Sequence, residues 1–270
     1  MSWKLSLLAA TLVAVTGCAQ VSTTQSGAVG IERKQTMLLS SQEVEQASAK
    51  SYAQEVGKVR GAGKLNSNPA LTARVRNVAN RLIAQTPVFR PDARSWRWEV
   101  NVADSPELNA YAMAGGKVMV YSGLITKLSL TDDELAAVIG HEMAHALREH
   151  SREQMSQAYA QQMGLTVVGA LAGLGPGTMD LASLAGDLVL TKPNSRTMES
   201  EADIIGLELM ARAGYNPHAA VSVWQKMLSN GGGGNGPEFL STHPSGSNRI
   251  QELSARIPRV MPLYEAARRR

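Results

Sequence analysis

Hydrophobic residues recur along this chain with two different spacings, which predict helices in some segments and strands in others. Between residues 69 and 86, Leu71, Val75, Val78 and Leu82 follow one another at three- to four-residue intervals. This interval is typical of the buried face of an α-helix. A further helix is predicted over residues 41–59.

The period changes between residues 96 and 121. Every second residue from Trp96 to Val102 is apolar and the residues between them are polar, which is the pattern of a half-buried strand. A second apolar run, residues 118–121, follows a Gly-Gly pair. We therefore predict a small sheet, antiparallel or mixed, in a domain that is otherwise mostly helical and of the α+β class.

A helix is predicted to begin at Thr131, because Thr131 and Glu134 form a capping box in front of an apolar run. This helix carries the motif HExxH at residues 141–145. The four-residue spacing places both imidazoles on one helical face, where they can hold one zinc ion. The carboxylate of Glu142 lies beside the metal and can accept a proton from water, then pass it to the leaving amine.

A catalytic zinc site needs a third protein ligand. The metzincin pattern requires His at position 151 and Gly at 148, and the chain has Ser151 and Arg148 instead. His150 is one residue out of register, and we interpret it as a helix-end histidine that packs or interacts with the helix dipole.

The better source of the third ligand is a helix predicted from about residue 194 to a point before Gly214. It carries Glu199 and Asp203, which share one face. Glu199 can complete a His, His, Glu site, and Asp203 can accept the spare N–H of a ligating histidine. Glu201 points elsewhere on this helix, and we expect it to be solvated.

Composition and charge exclude several other classes of protein. The chain has 270 residues, 44% of them hydrophobic and 19% charged, so it can bury a sizeable core. Its net charge is +4 and its basic residues are scattered apart from three terminal arginines, so no nucleic-acid partner is expected. A single cysteine excludes a disulfide framework and multi-cysteine zinc modules.

The N-terminus resembles a bacterial lipoprotein signal. Lys4 precedes a short apolar run that ends in Val-Thr-Gly-Cys18. We predict a signal peptide over residues 1–17 and acylation of Cys18, with Ala19 favouring sorting to the outer membrane. Residues 18–38, rich in Ser, Thr, Gln and Gly, are then a lipidated flexible tether, and the domain occupies residues 39–270.

Two further segments lie around the predicted site. Residues 163–190 are apolar but include Gly175-Pro176-Gly177 and two aspartates, so they cannot form an uninterrupted transmembrane helix. We favour a partly buried helical hairpin over a mobile lid or membrane contact, although these are not exclusive. Residues 231–236 form a Gly-rich loop that could let the following His243 segment move.

Four motifs resemble the gluzincin metallopeptidases, the family that includes CAAX-prenyl endopeptidases, bacterial heat-shock membrane proteases and periplasmic lipoprotein proteases of β-barrel assembly. The motifs, in the family's order, are Asn109-Ala110-Tyr111-Ala112 with the following glycines and Tyr121-Ser122-Gly123-Leu124, then HEMAH, then Glu199-Ser200-Glu201-Ala202-Asp203, then Thr242-His243-Pro244 with Arg249-Ile250. The resemblance implies a zincin-like catalytic domain, zinc bound by His141, His145 and Glu199, and Glu142 as the base.

The resemblance also implies that the His243 segment lies over the cleft. His243 then either donates to the oxyanion of the transition state or occupies the fourth zinc position and keeps the enzyme latent. Arg249 is expected to orient this loop or the substrate. Because a protease holds its substrate extended, we expect an exposed strand edge at Asn109 and Ala112 to contact the substrate backbone.

The expected function is that of a zinc endopeptidase that cleaves unfolded or misassembled polypeptides, outer-membrane proteins among them. The expected location is the outer membrane of a Gram-negative bacterium, with the lipid-anchored domain facing the periplasm. The alternative is a zinc-fold chaperone or binding module with little turnover, against which the presence of Glu142 argues.

Overall fold

Helices surround a small mixed sheet in the computed structural model, which describes residues 19–171, 180–230, 238–244 and 248–269. The strands are β1 (Ala19–Val21), β2 (Gln35–Met37), β3 (Glu99–Ala103), β4 (Ala110–Met113) and β5 (Lys117–Tyr121). The helices are α1 (Ser41–Gly61), α2 (Pro69–Ile83), α3 (Ser122–Lys127), α4 (Asp132–Leu147), α5 (His150–Leu171), α6 (Leu181–Leu190), α7 (Arg196–Arg212), α8 (His218–Asn230), α9 (Glu238–Thr242) and α10 (Arg249–Arg268). The predicted mostly helical α+β class is confirmed.

The sheet has the order β3-β5-β4, so that β4 lies at one edge. Strands β3 and β5 are parallel and β4 is antiparallel to β5, which makes the sheet mixed. Strand β3 begins at Glu99 rather than at Trp96, because a 3₁₀ helix runs to Ser95 and the indole N–H of Trp98 donates to the carbonyl of Ala93. The alternating pattern therefore begins before the strand does.

Helices α4 and α7 form the centre of the molecule. Helix α4 begins with the predicted capping box at Thr131 and is buried along nearly its whole length. Helix α7 begins at a cap formed by Ser195. The two backbones approach closely at Gly206, where a Cβ would lie 2.8 Å from the backbone nitrogen of His141. This close approach brings the acids of α7 beside the histidines of α4.

The segment predicted as a flexible tether is folded in its described part, residues 19–38, so that prediction and the domain start at residue 39 are wrong there. Strands β1 and β2 pair in an antiparallel manner. The backbone N–H groups of Ala28 and Val29 donate to Glu208 of α7 at 3.1 and 2.9 Å. The segment has the polar composition that is typical of a linker. Its polar groups instead bind helices that are distant in sequence, and local composition does not reveal such partners. Cys18 and residues 1–17 lie outside the described residues.

Helix α5 includes the start of the apolar stretch at residues 163–190, and α6 forms its end. Three leucines of α6, Leu181, Leu184 and Leu188, pack against a buried cluster that includes Val44 of α1 and Met155 of α5. The Gly-Pro-Gly sequence between the two helices and the Gly-rich loop at residues 231–236 lie outside the described residues. None of the helices in the described segments is long and apolar enough to cross a membrane.

Candidate metal centre

Four buried side chains from three parts of the chain converge on one point. They are His141 and His145 of α4, Glu199 of α7, and His243, which follows α9. One ligand atom from each lies within 4.8 Å of the others. Two of the residues come from the HExxH motif, and the other two are brought to them by the packing of α7 and of the segment around α9.

The spacing of these atoms fits one metal ion. Nε2 of His141 lies 3.1 Å from Nε2 of His145. These nitrogens lie 3.4 and 3.3 Å from the two carboxylate oxygens of Glu199. A tetrahedral zinc ion with ligands at about 2.0–2.1 Å separates its ligand atoms by about 3.4 Å. The Oε1 atom of Glu199 is also buried and has no hydrogen-bond donor among the described residues, as expected of an atom that binds a cation.

Asp203 determines which nitrogen of His141 faces this point. Its Oδ1 atom lies 3.0 Å from Nδ1 of His141, and a carboxylate accepts the proton that Nδ1 carries. With Nδ1 directed to Asp203, Nε2 is the nitrogen that faces the metal. Burial acts to lower the pKa of His141, but hydrogen bonds to Asp203 and Glu199 outweigh it and raise this pKa to about 9. Metal binding at His141 must therefore displace a proton near neutral pH.

Glu142 lies beside the four converging residues. Burial raises the pKa of its carboxyl group to about 8, while the positive charge on His141 acts against this rise. Its Oε1 atom is buried, has no hydrogen-bond donor within the described part of the chain, and lies 3.3 Å from Nε2 of His243. Glu142 therefore presents one oxygen to the cluster, and its raised pKa makes the ionised form a stronger base than an ordinary carboxylate.

His243 presents Nε2 to the same point. Its Nδ1 lies 3.2 Å from the carbonyl oxygen of Phe239 and 2.9 Å from Oγ1 of Thr242. A carbonyl can only accept, so a proton on Nδ1 would be directed to Phe239 and would leave the lone pair of Nε2 facing the cluster. The imidazole also stacks on the Phe239 ring, with 4.3 Å between the ring centroids.

Arg249, expected to orient the His243 loop or the substrate, contacts two acids of α7. It is buried and donates to Oε2 of Glu199 at 3.1 Å and to Oδ1 of Asp203 at 2.6 Å. Its guanidinium carbon lies 3.3 Å from the centroid of the Trp224 ring. Arg249 therefore offsets the charge of two acids on α7 and holds them in place, because a buried carboxylate needs a cationic or hydrogen-bonding partner.

Glu201 is not where the sequence placed it, and His150, at the start of α5, has a partner that the sequence did not indicate. Glu201 was expected to be solvated, but it is buried and binds Arg33 at 2.7 Å and Arg148 at 3.1 Å. His150 was expected to be a helix-end residue, and it is buried with Nδ1 only 2.8 Å from Nδ1 of His145. The sequence pattern did not indicate these contacts. The contact of Glu201 involves Arg33, which is far away in sequence, and the contact of His150 depends on the turn between α4 and α5.

Strand β4 lies along α4, the helix that carries the HExxH motif, and its side chains are buried. Asn109 and Ala112, expected at an exposed edge, are both covered. The backbone N–H of Ala112 faces Glu142 and acts to lower the pKa of its carboxyl group. A cavity of about 20 Å³ lies beside Glu142, and Leu188 and Val189 of α6 form part of its wall. This volume admits about one water molecule and no peptide.

Comparison with known sequences places these residues within one family. The sequence profile of peptidase family M48 matches residues 69–257, more than half of the chain. The matched range contains all four converging side chains, Glu142 and Arg249.

Individual relatives are named as peptidases. The mitochondrial metalloendopeptidase OMA1 of Saccharomyces cerevisiae is 37% identical over 180 residues, which are 63% of this chain and 50% of that protein. The protein of the same name in Schizosaccharomyces pombe is 33% identical over 228 residues, 83% of this chain and 64% of its own length. The beta-barrel assembly-enhancing protease of Escherichia coli is 27% identical over 217 residues, 77% and 43% of the two chains. The chain thus spans about half the length of these relatives.

The comparisons contradict the expected location in the outer membrane of a Gram-negative bacterium. The relatives from two yeasts, cattle, Arabidopsis thaliana and human all carry the word mitochondrial in their names. That prediction was wrong because it rested on the N-terminal pattern alone, and a short apolar run with one cysteine does not specify a compartment. Acylation of Cys18 and the signal peptide over residues 1–17 stay predictions.

Proposed function

This chain belongs to peptidase family M48, whose members are zinc metallopeptidases, and from this we propose that it is an endopeptidase that cleaves unfolded or misassembled polypeptides. The observation that carries the proposal is the buried Glu142 carboxylate beside the convergent His141, His145 and Glu199. The names of the relatives support endopeptidase action, since several are metalloendopeptidases. The name of the Escherichia coli relative, which refers to β-barrel assembly, supports misassembled proteins as substrates.

Different residues bind the metal and transfer the proton. We assign zinc to Nε2 of His141, Nε2 of His145 and the carboxylate of Glu199. Zinc supplies a Lewis acid that polarises the peptide carbonyl and makes water acidic enough to lose a proton near neutral pH. Glu142 accepts the proton of the attacking water at its free oxygen and delivers it to the leaving nitrogen.

Strand β4 is the proposed binding edge for the substrate backbone. It is an edge strand of the sheet, and the N–H of Ala112 faces the carboxylate of Glu142. A peptide added along this edge would lie next to the catalytic residues, with Asn109 and Ala112 beside its backbone. Recognition through backbone groups predicts broad sequence preference, because backbone hydrogen bonds do not depend on side chains.

The substrate class can be tested with one protein in two states. The purified chain is incubated with a reduced, alkylated and hence unfolded protein, and with the same protein in its native form. We expect internal fragments from the unfolded form alone, identified by their terminal sequences. Equal cleavage of both forms would contradict the substrate class. Binding of the unfolded form without fragments would support the chaperone-like alternative instead.

His243 is proposed to be a fourth zinc ligand that keeps the enzyme latent until it is displaced. Its Nε2 faces the other three ligand atoms, and its Nδ1 lies 3.2 Å from the carbonyl oxygen of Phe239, which can accept a proton from it. This arrangement suits a fourth ligand, whereas an oxyanion donor would need its proton on Nε2. Displacement of His243 would then open the position that the substrate carbonyl requires.

Replacing His243 by alanine is expected to raise the turnover number at saturating substrate, because the fourth ligand is removed. The initial rate of fragment release from an unfolded protein measures this. A loss of about 10²-fold would indicate an oxyanion donor instead. Unchanged turnover would leave His243 without a role in the reaction.

Helix α6 is the second proposed element of closure, since it packs against α1 and β4 and lines the small cavity. A Cβ built on Gly186 of α6 lies 3.9 Å from Cβ of Ser51 in α1. This separation suits a disulfide, whose Cβ atoms are about 3.5–4.5 Å apart.

The double replacement Ser51→Cys and Gly186→Cys, in a Cys18→Ser background, therefore allows α6 to be fixed in place. The oxidised protein is expected to lose cleavage of an unfolded protein and to regain it on reduction, because the peptide needs the space under α6. The single Ser51→Cys variant is the control and should not respond to reduction. Full activity of the oxidised double variant would exclude α6 as a moving cover.

A further inference from the structure

Three buried side chains, His145, His150 and Glu201, form a hydrogen-bonded file that runs from the metal centre into the interior. Nδ1 of His145 lies 2.8 Å from Nδ1 of His150, and Nε2 of His150 lies 3.0 Å from Oε2 of Glu201. All three residues are at most 5% exposed. Such short contacts between buried polar groups are hydrogen bonds, so protons occupy defined positions along the file.

The position of each proton follows from the acid at the far end. Arg148 and Arg33 both bind the carboxylate of Glu201, at 3.1 and 2.7 Å, and these two cations keep it ionised. An ionised carboxylate can only accept, so Nε2 of His150 carries a proton.

One proton can lie between the two Nδ1 atoms of His145 and His150. If it belonged to His150, the remaining proton of neutral His145 would have to sit on Nε2, where a metal could no longer bind. Metal binding by His145 therefore requires its proton on Nδ1 and a bare Nδ1 on His150. Neutral His150 with its proton on Nε2 provides that acceptor.

We propose that His150 and Glu201 are positioning residues for His145, which fix its ring and direct its Nε2 lone pair to the metal; this inference rests on the zinc site proposed above. Asp203 has the corresponding relation to His141, with direct contact. Helix α7 would thus supply Glu199 as a ligand of the metal. Two further acids of the same helix, Asp203 and Glu201, would orient His141 and His145. Arg33 links the N-terminal segment to the same file.

A residue that only fills space would behave differently from a positioning residue. Loss of packing lowers stability to the same extent with and without zinc. Loss of the acceptor for His145 weakens the zinc-bound state in particular, because outer contacts of a ligating histidine commonly change metal affinity by about 10- to 100-fold. Zinc affinity and the zinc-induced rise in melting temperature separate the two.

The test compares the full chain with three variants. His150→Leu removes the acceptor, and His150→Asn restores an oxygen near the place of Nδ1. Glu149→Gln is the matched control, since Glu149 is the adjacent buried residue and binds Arg90 and Arg152 rather than the file. Zinc affinity is measured by competition with a chromogenic chelator, and melting temperature with and without zinc.

We expect His150→Leu to weaken zinc binding by about 10- to 100-fold and to reduce the zinc-induced rise in melting temperature. His150→Asn should recover most of the affinity, and Glu149→Gln should keep it while melting lower in both states. Wild-type affinity in His150→Leu overturns the inference alone. Absence of zinc binding by the wild type overturns the zinc site and the inference together.

A second measurement does not depend on the folding of any variant. Nitrogen-15 chemical shifts of the zinc-loaded wild-type protein report which imidazole nitrogen carries each proton. We expect the Nδ1–H form for His145 and the Nε2–H form for His150. The Nδ1–H form of His150 overturns the inference.

Discussion

Replacement of Glu142 by glutamine is expected to lower the rate of peptide cleavage by about 10²- to 10⁴-fold while zinc remains bound. The amide keeps the shape of the side chain but cannot accept the proton of the attacking water. Glu142 does not belong to the ligand cluster, so the metal should stay. Turnover on an unfolded protein and zinc content by elemental analysis measure the two effects separately.

Glu134→Gln is the matched control for this variant. Glu134 is a buried acid on the same helix, and its carboxylate binds the backbone N–H of Thr131 and the ammonium group of Lys226. Its replacement removes one charge from the pair with Lys226, but glutamine can still complete the capping box, so activity per folded molecule should be unchanged. Undiminished cleavage by Glu142→Gln would mean that another group is the base.

Replacement of Glu199 by glutamine is expected to abolish stoichiometric zinc binding. Both oxygens of Glu199 face ligand nitrogens, at 3.4 and 3.3 Å, so an amide would direct an N–H at one of them or at the metal. The loss should exceed the roughly 10- to 100-fold change typical of residues outside the ligand set. Elemental analysis of the purified variant after dialysis measures it.

The control for Glu199→Gln is Glu208→Gln on the same helix. Glu208 is fully buried and accepts from Ala28, Val29 and Arg212, away from the metal centre. Its loss should cost about 1–3 kcal/mol of stability because a buried donor is left without its acceptor. Zinc should remain stoichiometric in this variant. Full zinc occupancy in Glu199→Gln would remove Glu199 from the ligand set.

Local signals in the sequence were sufficient for the elements that carry the site. The capping box at Thr131 gave the start of α4, and the i, i+4 spacing in α7 led to Asp203 as an acceptor for a ligating histidine. In the structure, Asp203 Oδ1 lies 3.0 Å from Nδ1 of His141. Such features depend on residues within one or two helical turns, which a single sequence displays directly.

The contacts that could not be predicted join residues far apart in the chain. Arg33 reaches Glu201 across 168 positions, and Arg249 reaches Glu199 across 50. Composition assigned the N-terminal segment to a linker because its donors and acceptors look solvated until α5 and α7 pack against them. One local signal could have indicated a role for Glu201: α7 carries four acids, more than one metal site needs, and an acid on a buried helix requires a partner.

The dependence of cleavage on stoichiometric zinc tests the account most directly. The purified chain, freed of metal by a chelator and then dialysed, is incubated with an unfolded protein at increasing ratios of added zinc. We predict no cleavage without metal, recovery that is complete at one zinc per chain, and no recovery in Glu199→Gln. Cleavage that persists in the metal-free protein, or equal recovery in Glu199→Gln, would contradict the account.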